Sequence, residues 1–143
     1  MEHLWLVFAL LSAVTAAFVA VFGKMGLQGV DSTTATAVRG VIMAVFLALV
    51  VIWQGKLSEV SSITSNSSAM KYIVLSGIAG ALSWLFYFLA LKYGKVSQVA
   101  PIDRLSVVFA MIFAAIIIGE KVSVKAGLGA ALIVAGAIVI ALG

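Results

Sequence analysis

Apolar residues run along this chain in five long stretches, roughly residues 4–22, 33–53, 72–91, 97–118 and 124–142. Each is close to the ~17–25 residues that an α-helix needs to cross a hydrocarbon core about 30 Å thick. Lipid offers no partner for backbone N–H and C=O groups, so runs of this kind must be helical. The pattern predicts an all-α integral membrane protein of five transmembrane helices, forming one domain over residues 1–143. The polar stretches between the runs are too short to hold a soluble domain.

Those polar stretches carry the expected helix ends. The first helix closes near Gly23-Lys24-Met25-Gly26, and Asp31 or Ser32 is placed to cap the second. The longest connection, "QGKLSEVSSITSNSSAMK", is Ser-rich, but Leu57, Val60 and Ile63 recur every three residues, so part of it fits the membrane surface. Its Asn66-Ser67-Ser68 matches a glycosylation sequon, a pattern short enough to arise by chance. Ser97 is placed to cap the fourth helix, leaving Pro101 near the first turn, where a proline does least damage. Gly119-Glu120-Lys121 closes that helix and Ser123 is placed to cap the fifth. With alternating helices, Trp5, Trp53 and Tyr72 fall at one membrane face as an aromatic belt.

Composition agrees with the pattern and removes several function classes. The hydrophobic share is 64%, against about 45–50% for soluble domains. The net charge of +4 comes mostly from lysines at helix ends, which suits membrane anchoring and not nucleic acid. There is no cysteine, and the single histidine, His3, lies before the first helix. No nucleophile–base pair or metal-ligand set therefore lies within the spans, and neither an enzyme nor a cofactor is expected. The segment "LWLVFALLSAVTAA" has the look of a signal peptide, but Met1-Glu2-His3 lacks the positive start and the apolar run continues to Phe22. A retained first helix is the expectation.

Charge does not set a single orientation. On the N-terminal face lie Lys56, Lys71, Lys121 and Lys125, and on the opposite face Lys24, Lys92 and Lys95, four against three. The positive-inside rule needs a clearer excess. Either the first helices and the cell fix one orientation, or the chain inserts both ways and pairs head to tail.

Three charges lie inside the apolar runs: Arg39, Asp103 and Arg104. Each costs about 2.5–3.5 kcal/mol on insertion scales, so such residues face protein or water and mark function. Arg39 and Asp103 are each six or seven residues from the same face, at a similar depth of roughly 10 Å, which allows an ion pair. Asp103 and Arg104 are about 100° apart on a helix and serve two surfaces. The plain alternative is a neutralising pair plus an arginine that reaches the headgroups. In the third helix Ser76, Gly80, Trp84, Tyr87 and Leu91 share a stripe, with Trp84 and Tyr87 near mid-bilayer, away from the usual aromatic belts. Such rings suit the wall of a solute pocket, or ordinary helix packing. Thr15, one turn after Ser12, is the polar group in the middle of the first helix, although such hydroxyls often bond their own backbone. The fifth helix carries Gly127, Ala131 and Ala135 as a small-xxx-small row suited to close helix contact.

Taken in order, Ala90-Leu91-Lys92-Tyr93-Gly94, Ser97 to Leu105 (S-x-V-A-P-x-x-R-L), Gly119-Glu120 and Gly129 to Gly136 (G-x-x-L-I-x-x-G) make a recognisable series. It resembles the EamA domain of the drug/metabolite transporter superfamily, with Lys24 and Arg39 standing where that family often carries a Lys and an Arg. Most members of that superfamily have ten helices in two inverted five-helix repeats, and this chain looks like one repeat. The resemblance implies a transporter subunit of the cell inner membrane, paired as an antiparallel homodimer and moving a small-molecule solute by alternating access. Arg39, Asp103 and Arg104 would form the polar part of its site, Trp84 and Tyr87 the wall, with Thr15 on the path. The related small multidrug exporters, which are cation antiporters, depend on a membrane-embedded glutamate in the first helix. This first helix has none, since Glu2 precedes it. A scaffold subunit that steadies a partner without transporting is the other alternative.

Overall fold

The computed structural model describes residues 4–143, so the expectations attached to Glu2 and His3 lie outside the described residues. Among the described residues there is no strand. The elements are α1 (Leu4–Gly26), α2 (Ser32–Trp53), α3 (Leu57–Ser65), α4 (Ser67–Tyr93), α5 (Val96–Asp103), α6 (Ser106–Phe113), a π-helical turn (Ala114–Ile118) and α7 (Val124–Leu142). Five segments are long and apolar enough to cross a membrane: Leu4–Gly26, Ser32–Trp53, Ser67–Tyr93, Val96–Ile118 and Val124–Leu142. The all-α transmembrane architecture read from the hydrophobic runs is thus the architecture of the chain.

The helix ends follow local chemistry. Asp31 is the cap of α2, its carboxylate accepting from the Thr34 N–H at 2.8 Å and from the Thr34 hydroxyl at 2.9 Å. Those donors, the N–H first, hold the Asp31 carboxyl below the usual carboxylate range, with the positive charge of Lys92 a lesser contributor. Ser123 caps α7 through the Ala126 N–H at 3.2 Å. Asn66 spends its side chain on the start of α4, accepting the Ala69 N–H at 3.1 Å. That cap starts the third span at Ser67, five residues before the apolar run. At 27 residues this helix is about 40 Å long, more than a ~30 Å core, so its polar first turn belongs in the headgroup region. Leu57, Val60 and Ile63 fall on the short helix α3, all exposed.

The fourth span departs from the continuous helix expected over 97–118. It begins at Val96, with Lys95 at the cap position and its N–H given to the Gln98 side chain at 3.5 Å, so Ser97 stands inside the helix and does not cap it. Pro101 has no N–H to give and stands inside α5. Just beyond it the Arg104 N–H is shared between the carbonyls of Ala100 at 3.3 Å and Pro101 at 3.2 Å. The next bonds are of the tighter i→i−3 kind: Leu105 to Ile102 at 3.0 Å, Val107 to Arg104 at 3.1 Å and Val108 to Leu105 at 3.0 Å. Asp103 and Arg104 thus sit at a break in the span. Asp103 is half-buried and Arg104 exposed. The span then loosens into the π-turn and stops at Gly119, whose φ of 76° only glycine adopts freely.

The chain divides into two compact units, residues 1–22 with 93–143, and residues 23–92. In the first, α7 packs on α5 and α6. Ala130 and Ala137, seven residues apart, are the buried positions of α7. The row Gly127, Ala131 and Ala135 is exposed instead, with open space where a Cβ on Gly127 would lie. Ala137→Leu should cost about 1–3 kcal/mol by overpacking, while Val139→Leu, at a position 71% exposed, should be near neutral. Thermal melts of the two variants in detergent check this.

Candidate functional site

The polar chemistry inside the second unit gathers where α2 and the end of α1 meet α4. Gly23 makes the approach possible, because a Cβ there would lie 2.6 Å from Cε1 of Phe88. The next residue, Lys24, donates from Nζ to the carbonyl of Leu91 in the last turn of α4. A cation at that end satisfies a carbonyl the helix cannot and suits the negative end of the helix dipole. The two contacts fix α4 lengthwise, and with it the rings of Trp84 and Phe88, which are four residues apart and share a face.

Arg39, seven residues into α2 from Ser32, lies over both rings. Its guanidinium carbon is 4.2 Å from the Trp84 centroid and 4.7 Å from the Phe88 centroid. Phe88 is 3% exposed, and Tyr87 meets its ring edge to face at 5.9 Å. Each ring face attracts the charge by roughly 0.5–2 kcal/mol, more as water is excluded. A ring takes charge but accepts no ordinary N–H hydrogen bond, and Nη1 of Arg39 is buried without a hydrogen-bond partner among the described residues.

Two grooves border this cluster. One, of about 640 Å³, runs between α2 and α4 and is lined by Thr33, Thr36, Ala37 and Gly40 on one side and by Gly77, Gly80, Ala81 and Trp84 on the other. The second, of about 570 Å³, is lined by Arg39 with Asp31, Thr34, Val38 and Ile42. Small residues make the first: Gly40, Gly77 and Gly80 have nothing within 4 Å of an added Cβ. The 640 Å³ is within the range of small-molecule sites.

Of the residues singled out in the sequence, Arg39, Trp84 and Tyr87 therefore stand together. Asp103, Arg104 and Thr15 belong to the other unit, and each is placed by its own surroundings. Thr15 donates its hydroxyl to the carbonyls of Leu11 at 2.9 Å and Ser12 at 3.0 Å, the local use that threonine in a helix often makes. The sequence pattern does not single out Phe88, since a phenylalanine in an apolar run looks like any lipid-facing residue. Its spacing of four from a mid-membrane tryptophan was the available signal. Among the described residues, no cluster of three His, Cys, Asp or Glu could hold a metal ion.

A chain of five apolar spans, with a charged and aromatic cluster inside them, is a multi-pass membrane protein. Residues 3–142 match the model of the EamA-like transporter family, and the chain belongs to that family. It is also 40% identical over 141 residues, 99% of each chain, to a protein of Sinorhizobium sp. described as an uncharacterized transporter in the cobO 3' region. No solved structure matches it significantly.

Gly23→Ala should destabilise the second unit by about 1–3 kcal/mol, since the added methyl must displace the Phe88 ring. Gly23→Ala combined with Phe88→Leu should recover part of that loss in a thermal melt. If Gly23→Ala alone melts like the wild type, the close approach is not what holds the cluster.

Proposed function

We propose that the 143 residues act as one transmembrane domain that carries a small organic solute across the cell's inner membrane by alternating access. The observation that carries this reading is the Arg39 guanidinium seated on Trp84 and Phe88 inside a membrane span, beside grooves of solute size. A charge so placed is costly and belongs to a functional path. In this reading Arg39 is the polar anchor and Trp84 and Tyr87 form the wall. Asp103 and Arg104, at the break in the fourth span, and Thr15 in α1 contribute further polar contacts along the path. The family and the transporter-named relative support the transport class. No chemical step is assigned.

The working unit in this reading is an antiparallel homodimer. A single five-helix repeat needs an inverted partner to build a two-sided path, and the lysine balance of four against three permits insertion both ways. The exposed small-residue row of α7 is the proposed contact. Ala131→Leu should then lower the dimer fraction in detergent cross-linking and leave the inserted monomer intact. Unchanged cross-linking would remove α7 from the interface.

The transport reading is tested by flux into liposomes of any solute that raises the melting temperature of the purified protein. Trp84→Leu should weaken solute affinity about threefold to thirtyfold, the worth of a cation–π and stacking wall. Tyr87→Phe should change affinity while leaving the melt nearly intact. Wild-type flux in Trp84→Leu would make this face packing only.

A further inference from the structure

We infer that the solute held at this site is an anion, and that its carboxylate or a similarly planar acidic group is bound by the edge of the Arg39 guanidinium. This rests on the reading of the Arg39–Trp84 face as a solute site and goes beyond it by fixing the charge of the solute.

Four observations lead there. The rings of Trp84 and Phe88 take up the Arg39 charge through their faces, at 4.2 and 4.7 Å, and supply no acceptor for its N–H groups. Nη1 in particular is buried with no hydrogen-bond partner among the described residues. A buried donor without a partner costs free energy, and a charged one costs more, so such a group in a folded protein is matched by something. Arginine presents its donors as a planar fork that fits a carboxylate, and it does not lose its proton.

The unit itself has no carboxylate to give. Residues 23–92 hold five cations, Lys24, Arg39, Lys56, Lys71 and Lys92, against two acids, Asp31 and Glu59. Asp31 is engaged by the Thr34 N–H and hydroxyl as the cap of α2. Glu59 is on α3, beyond the far end of α2. Charge complementarity therefore asks for a negative group from elsewhere. Arg39 lines the groove of about 570 Å³, where the Asp31 carboxylate on the same groove is already engaged by Thr34. The aromatic neighbours and the apolar residues Val38 and Ile42 suit an organic body behind the acid.

The test uses the full chain, with Trp5→Phe and Trp53→Phe leaving Trp84 as the emitting residue. Both replaced tryptophans are exposed, at 67% and 86%. The purified protein is titrated with benzoate, benzamide and benzylamine, which share a ring and differ in charge. Trp84 emission and the melting temperature are followed together. Benzoate should bind about tenfold tighter or better than the other two, as a charge-assisted pair implies. Arg39→Gln should erase that preference and Arg39→Lys should keep part of it. The contrast among the three probes needs no change at Arg39, so a poorly folding glutamine variant does not affect it.

Equal binding of the three probes, or a benzoate preference that survives Arg39→Gln, overturns the inference. A benzoate response that appears only in Asp103→Asn overturns it too, because the protein's own carboxylate would then hold Arg39. A response to benzamide or benzylamine without benzoate preference removes the anion and leaves the solute site standing. No response at Trp84 to any of the three removes both.

Discussion

Everything in this chain answers to one constraint: in a lipid core each backbone N–H and C=O must find its partner inside the protein. Uninterrupted helices meet it most simply, and four of the five spans are single helices. The fourth is the exception. Pro101 withholds an N–H, the bonds after it tighten to i→i−3, and the span ends in a π-turn. Irregular backbone at membrane depth is tolerated where protein or a watery cavity surrounds it. That the break coincides with Asp103 and Arg104 ties an unusual backbone to unusual charges in one place, the combination seen where transporters hold ions and solutes.

The second unit meets the cost of its inner charge differently. Its helices are regular there, and the accommodation is made by side chains. Gly23 lets the end of α1 come against Phe88, and Lys24 fastens to the end of α4. With α4 held, Trp84 and Phe88, about one turn apart, both present ring faces to Arg39. A leucine in either position would be smaller and would take away the ring face that lies against the guanidinium. The ring faces are thus part of what allows an arginine eight positions into an otherwise apolar helix.

What the sequence made legible follows from how local each cause is. The spans themselves are local, and so are the caps at Asp31 and Ser123, because a short polar side chain reaches only two or three residues along. Trp84 stood out because tryptophan belongs at membrane interfaces and this one does not lie there. The ends of α1 and α4 were not legible: Gly23 to Gly26 and Ser67 to Lys71 are polar enough for a loop, and the contacts that keep them helical are made by Lys24 on α4 and by Asn66. Nor was the break after Pro101, since the choice between i−3 and i−4 carbonyls at Leu105 and Val108 depends on packing and not on residue type. In α7 small residues occur at so many positions that pattern alone did not say that Ala130 and Ala137 face inward while Ala131 stays out.

The charge count places a further condition on any account of this protein. Away from the ends of the spans, each chain carries two guanidinium groups, Arg39 and Arg104, and one carboxylate, Asp103. However these are paired, one positive charge per chain is left over. A homodimer doubles both signs and leaves the same excess, so self-association cannot remove it. Arg104 is exposed at a helix break, where a long side chain can extend toward headgroups. Arg39 is half-buried and its guanidinium lies against two rings. Within its own unit Arg39 is met by those ring faces and not by a carboxylate, since Asp31 is engaged at the cap of α2 and Glu59 lies on α3.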